Sequence, residues 1–92
     1  MAYRVIKTGQ FLQDVEDVVL FIAQDNLNAA DAMERRIHQQ VDHLADPNFP
    51  RRMGRQPGTL ELVVHANYVV VLQQTDTTVT LLNLLHVARQ YP

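Results

Sequence analysis

Three arginines, Arg51, Arg52 and Arg55, fall within five residues of a stretch that also holds Gly54, Pro57 and Gly58. A guanidinium presents a planar fork of N–H donors that meets a phosphate or a carboxylate with two bonds at once. Three of them on a segment stiffened by proline make a recognition loop for a nucleic acid, for an enzyme that handles nucleic acid, or for an acidic partner segment. The plain alternative is a solvated charge cluster. A second group, His86, Arg89 and Tyr91, ends the chain. Histidine and tyrosine form a general acid/base pair, and arginine stabilises developing negative charge, which is the set phosphodiester cleavage requires. Its plain alternative is a structural histidine at a strand end. Glu61, between Leu60 and Leu62, reads as a solvated strand residue. There is no Ser/His/Asp order with nucleophile spacing, no glycine-rich phosphate cradle and no metal constellation. No metal and no other cofactor is expected.

These groups must be held by a small body. The chain has 92 residues, enough for one domain spanning residues 1–92, and no cysteine to staple it. The formal net charge of -2 argues against broad nucleic-acid binding by the whole surface. No direct sequence-specific nucleic-acid contact by the chain alone is expected. The charge is polarised, however. Eight of the ten carboxylates (Asp14, Glu16, Asp17, Asp25, Asp31, Glu34, Asp42 and Asp46) lie in the first half, away from the arginine cluster. The first residues are too short and polar a run for a signal peptide. The longest apolar run, Val18 to Ala23, falls far short of the roughly 20 residues of a membrane helix. A soluble, cytoplasmic protein with no membrane partner is expected.

The periodicity gives the elements. Residues 2–8 alternate loosely and read as a strand. Thr8 caps a helix over about 9–25, with Phe11, Leu12, Val15, Val18, Val19 and Ile22 at spacings of three and four. Asn28 caps a second helix over about 29–45, whose buried face is Ala29, Ala30, Met33, Ile37, Val41 and Leu44. Asp46-Pro47 closes it, and residues 48–58 form an exposed loop in which Pro57-Gly58 suits a type II turn. The period then changes to two, giving strands over 59–64, 68–75 and 78–85 with short connections that force antiparallel neighbours. The predicted class is α+β, order β-α-α-β-β-β, a helical hairpin packed on one face of an antiparallel sheet.

Both sheet faces are apolar. Alternation places Val63, Val69, Val71, Leu82 and Leu84 on one side, and Leu62, Val64, Val70, Leu72, Leu81 and Leu85 on the other. Two helices cover one set only. The first set, with Val18, Phe21 and Ile22 of the first helix, is therefore expected to bind another chain, whether a partner that folds on contact or a second copy in a homodimer. The bland alternative is that the helices and the long loop wrap both sides.

Several segments together are similar to the ParE/RelE superfamily of bacterial toxins. They are Phe21-Ile22-Ala23-Gln24-Asp25-Asn26 with Ala29-Ala30, Gly54-Arg55-Gln56-Pro57-Gly58-Thr59 leading to Glu61-Leu62-Val63-Val64, Tyr68-Val69-Val70, and His86-Val87-Ala88-Arg89-Gln90-Tyr91-Pro92. The resemblance covers nearly the whole chain and favours the ParE branch. It implies the toxin of a type II toxin–antitoxin pair, held inactive by a cognate antitoxin whose disordered C-terminal segment wraps it, in a toxin–antitoxin assembly. ParE-type members poison DNA gyrase by direct binding, without chemistry of their own; RelE-type members cleave mRNA on the ribosome. Two departures bear on the branch. Leu60 and Asn83 stand where many relatives have arginine, which removes cations that a nuclease would place around the scissile phosphate. The resemblance thus implies gyrase inhibition, with Arg51, Arg52 and Arg55 contacting the target. The alternatives are a ribosome-dependent endoribonuclease using His86, Arg89, Tyr91 and Arg55, and an inert relative that keeps only antitoxin binding.

Overall fold

The computed structural model describes residues 2–89. Its elements are strand β1 (Arg4–Lys7), helix α1 (Gly9–Ala23), helix α2 (Leu27–Asp42), a 3-10 turn (His43–Ala45), and strands β2 (Arg52–Met53), β3 (Leu60–His65), β4 (Tyr68–Gln74) and β5 (Thr78–His86). The expected order is present, with one short strand added inside the arginine loop. None of the described helices is long and apolar enough to cross a membrane.

Local chemistry explains where the helices begin. The Thr8 hydroxyl accepts from the Phe11 N–H at 3.2 Å and donates to the Leu81 carbonyl at 2.6 Å, so one side chain caps α1 and ties it to the sheet. Helix α2 is capped by Asn26, whose side chain accepts from the Ala29 N–H at 3.0 Å, and not by Asn28 as the sequence suggested. The earlier asparagine takes the extended backbone (φ -157°, ψ 105°) that an N-cap needs, so the helix starts two residues sooner.

The hairpin buries Phe11 and Val15 of α1 and Ala30, Ile37 and Val41 of α2. Phe11, Val15, Ile37 and Val41 meet Leu62, Val64, Tyr68, Val70, Leu72, Val79, Leu81 and Leu84 from the sheet in one core, which Leu44 of the 3-10 turn completes. Each such large aliphatic contributes roughly 1.5–3 kcal/mol of burial.

The sheet order is β1-β5-β4-β3-β2. Strands β2 to β5 pair antiparallel, but β1 pairs with β5 in parallel, with Val5 opposite Val79. The sheet is therefore mixed rather than wholly antiparallel. The helical hairpin separates β1 from the meander, so no tight turn dictates its direction.

A bulge changes which residues share a face. Val70 stands opposite Leu84 and Val71 opposite Asn83, but Leu72 stands opposite Leu81, leaving Leu82 as the extra residue. Directly opposed residues point to the same side, so Leu84 joins Val70 under the helices and Leu85 joins Val69 on the far face. This corrects the strict alternation, which had placed Leu84 on the far face and Leu85 in the core. The far face is also less open than expected. Val69 and Val71 on the central strand are buried, whereas Val63 is 46% exposed.

Candidate functional site

The arginine loop is braced at several points. The Gly54 N–H donates to the Thr59 carbonyl at 2.9 Å, and the Thr59 hydroxyl donates to the Gln56 carbonyl at 2.7 Å. A Cβ on Gly54 would collide with the Thr59 side chain and main chain, and Gly58 sits at φ +81°, as a type II turn requires of its third residue.

The three arginines have different surroundings. Arg51 is turned back into the fold. Its Nε and Nη2 donate to the Phe49 carbonyl at 3.0 and 2.9 Å, Nη2 also to the Asp46 carbonyl at 2.6 Å, and Nη1 to Gln74 Oε1 at 2.9 Å. Its guanidinium lies 5.7 Å from the Tyr3 ring centroid. Grouping Arg51 with the outward cations is therefore corrected: the Leu44, Asp46 and Phe49 carbonyls converge in the turn closed by Asp46-Pro47 and draw the guanidinium inward. Arg52 and Arg55 are exposed on the outer side of the loop.

Between them sits Glu61, which is 1% exposed and not a solvated strand residue. Its Oε1 accepts from Arg52 Nε and Nη2, both at 3.0 Å, and its Oε2 accepts from the Arg55 backbone N–H at 3.2 Å. A buried carboxylate is tolerated only when paired in this way. Periodicity carries no signal for this, because the short β2 strand that brings Arg52 opposite Glu61 has only two residues.

Beside the loop, a groove of about 400 Å³ opens along the β3 edge, lined by Gln40, Phe49, Pro50, Arg52, Leu62 and Val63 among others. The bond from Gly54 to Thr59 sets the phase of pairing, so Arg52 and Glu61 form a hydrogen-bonded pair. The pairing of β2 with β3 ends at Arg52–Glu61, and Pro50, two residues before it, has no N–H with which to continue it towards Val63. The edge at Val63 is thereby left open. Just beyond it, Arg36 of α2 reaches the Val64 carbonyl through Nε at 2.7 Å.

The C-terminal group lies elsewhere. The His86 ring meets Tyr68 edge-on at 5.1 Å, and its Nδ1 accepts from the Ala88 N–H at 3.2 Å. The Arg89 guanidinium stacks 5.0 Å from the Phe21 ring centroid. With Asp17 and Val18 they line a cleft of about 270 Å³ at the end of α1. Tyr91 falls outside the described residues. Tyr68 and its cross-strand partner His86 share the helix face, while Glu61, beside Arg55, alternates to the far face. His86 and the Arg52–Glu61 pair therefore lie on opposite faces of the sheet. The two departures from the family pattern supply no cations. Leu60 packs against the core, and Asn83 Nδ2 donates to Asp14 Oδ2 at 3.2 Å. Among the described residues no group of His, Asp or Glu is arranged to hold a metal.

Of the apolar residues expected to bind a partner, Phe21 is 52% exposed, and Val18, Ile22 and Leu82 are half-buried. Together with Val63 they remain accessible; Val69, Val71 and Leu84 do not.

No curated protein sequence matches the chain. Its fold is similar to that of the chromosomal ParDE system from P. aeruginosa, with a TM-score of 0.80 at 13% identity over 92% of this chain and 96% of the other. It is also similar to the E. coli DinJ-YafQ toxin-antitoxin complex, with a TM-score of 0.65 at 13% identity over 100% of both chains. The YoeB dimer from Staphylococcus aureus follows with a TM-score of 0.57 at 11% identity, over 90% and 94% of the two chains. At such identities these likenesses concern the fold. The family description "ParE toxin of type II toxin-antitoxin system, parDE" matches the sequence over residues 5–91. With the helical hairpin, the mixed sheet and the braced arginine loop in place, that match makes this chain a member of the ParE toxin family of type II toxin–antitoxin systems.

Proposed function

We propose that this toxin acts on DNA gyrase by direct binding, presenting Arg52 and Arg55 to an acidic or phosphate-bearing surface and carrying out no chemistry of its own. One observation supports this most: the two exposed arginines stand on a braced loop, with Arg52 paired to Glu61, which faces away from the helix-side His86–Arg89 cleft. A nuclease site would need those cations together around one phosphate. The leucine and asparagine at positions 60 and 83 add no charge to either place. The test adds purified toxin to a gyrase supercoiling reaction and, separately, to translating ribosomes. Loss of supercoiling with intact mRNA is expected. Codon-positioned mRNA cuts with unaffected supercoiling would assign the protein to the endoribonuclease reading instead, which the His86–Tyr68–Arg89 cleft supports. Growth that continues normally when the toxin is expressed alone would make it an inert relative.

A cognate antitoxin is the partner proposed for the open β3 edge and the α1 strip. An extended segment pairing at Val63 would find a strand edge that β2 does not reach, an apolar groove against Phe49, and Arg52 at its rim for an acidic side chain. A helical portion fits the half-open strip of Val18, Phe21 and Ile22, which a second toxin copy would otherwise take. Because Arg52 borders both the groove and the target loop, antitoxin and target compete for it.

A further inference from the structure

We infer that Glu61 is the positioning residue of the target loop: a buried carboxylate that never meets the target but fixes how Arg52 and Arg55 are presented to it. This deepens the proposed target contact and rests on it. Three observations converge. The carboxylate is 1% exposed, so its place in the fold cannot be read as surface charge balance. Both oxygens are spent on the loop, Oε1 on two nitrogens of Arg52 and Oε2 on the main-chain N–H of Arg55. The side chain it holds stays available, since that of Arg52 is 56% exposed while Glu61 is closed beneath it.

The chemistry gives the pairing a function beyond neutralisation. A guanidinium bound through Nε and one terminal nitrogen keeps its other terminal nitrogen, Nη1, directed away from the carboxylate. Its long side chain is therefore held in one rotamer with donors facing outward. A loop ordered in advance loses less conformational freedom on binding, and that saving appears as affinity. The buried carboxylate, for its part, tolerates no loop conformation that withdraws Arg52 and the Arg55 N–H together, because it would be left charged without partners. Two other braces, Thr59 to Gln56 and Gly54 to Thr59, shape the turn but touch neither guanidinium.

The experiment compares the wild-type toxin with Glu61→Gln, which keeps the shape and removes the charge, and with Glu61→Asp, which keeps the charge on a shorter side chain. Amide hydrogen exchange is measured across the chain, alongside gyrase inhibition and antitoxin affinity. In Glu61→Gln, exchange over residues 52–58 is expected to rise about tenfold or more while the α1 and β4 amides stay protected. The concentration giving half-inhibition of supercoiling should rise about tenfold, and Glu61→Asp should recover part of both effects. Loop exchange unchanged in Glu61→Gln would overturn the inference, whatever the target. So would a loosened loop with undiminished inhibition. Should Glu61→Gln fail to unfold cooperatively, Glu61→Asp carries the same comparison, and wild-type behaviour in both readouts would overturn the inference. A wild-type toxin that leaves supercoiling untouched would instead refute the proposed target, while the exchange measurement still decides what Glu61 holds.

Discussion

Arg51 and Arg52 are adjacent in sequence, yet the first donates to main-chain carbonyls and Gln74 while the second stands over Glu61 with its outer side in solvent. Their substitutions should therefore separate. Arg51→Ala strips several charge-assisted hydrogen bonds from the turn after α2 and is expected to cost about 1.5–3 kcal/mol in denaturant unfolding. Arg52→Ala and Arg55→Ala should weaken gyrase inhibition with smaller losses of stability. A triple alanine variant would mix the two effects, so single substitutions read by urea titration and supercoiling assay are the cleaner comparison. Gly54→Ala places a methyl group against Thr59 and should destabilise the loop by about 1–3 kcal/mol, measured as a lower denaturant midpoint. The sequence exposed the arginine cluster, since charge and spacing are visible in one dimension. It hid the inward turn of Arg51 and the burial of Glu61. Both depend on contacts that no periodicity marks, the Asp46 and Phe49 carbonyls with distant Gln74 for the one and the two-residue strand β2 for the other.

At the scale of elements, helix and strand periods were readable because one face of each is buried throughout: Phe11 and Val15 on α1, Ile37 and Val41 on α2, Leu62 and Val64 on β3. Facing beyond the bulge was not. A strict period of two cannot register the single extra residue Leu82, and one extra residue transfers Leu84 to the core and Leu85 to the far face. Leu84→Ala is accordingly expected to cost about 2–5 kcal/mol in chemical denaturation, as a fully buried leucine does. Val63→Ala should change the stability of the isolated toxin by less than about 0.5 kcal/mol, as surface substitutions do, while lowering antitoxin affinity in a titration. Equal stability losses at the two positions would contradict this assignment of faces. The parallel pairing of β1 with β5 was equally out of reach, because contacts between the two ends of the chain leave no local pattern.

For the molecule as a whole, the two candidate functions need different arrangements of the same few charges. The proposed gyrase contact needs a cationic projection, and Arg52 is held by Glu61 with the Arg55 main chain beside it. A ribosomal nuclease needs cations and an acid/base pair around one phosphate, whereas here His86 lies on the helix face and Arg52 is paired to the far-face Glu61. The measurement that separates them most directly is gyrase supercoiling with wild-type toxin and the Arg52→Ala/Arg55→Ala double variant, run beside mRNA cleavage on translating ribosomes. Wild-type toxin should block supercoiling, the double variant should lose about tenfold or more in potency, and mRNA should stay intact with both. Codon-positioned cleavage by the wild type, lost on His86→Ala and accompanied by normal supercoiling, would contradict it.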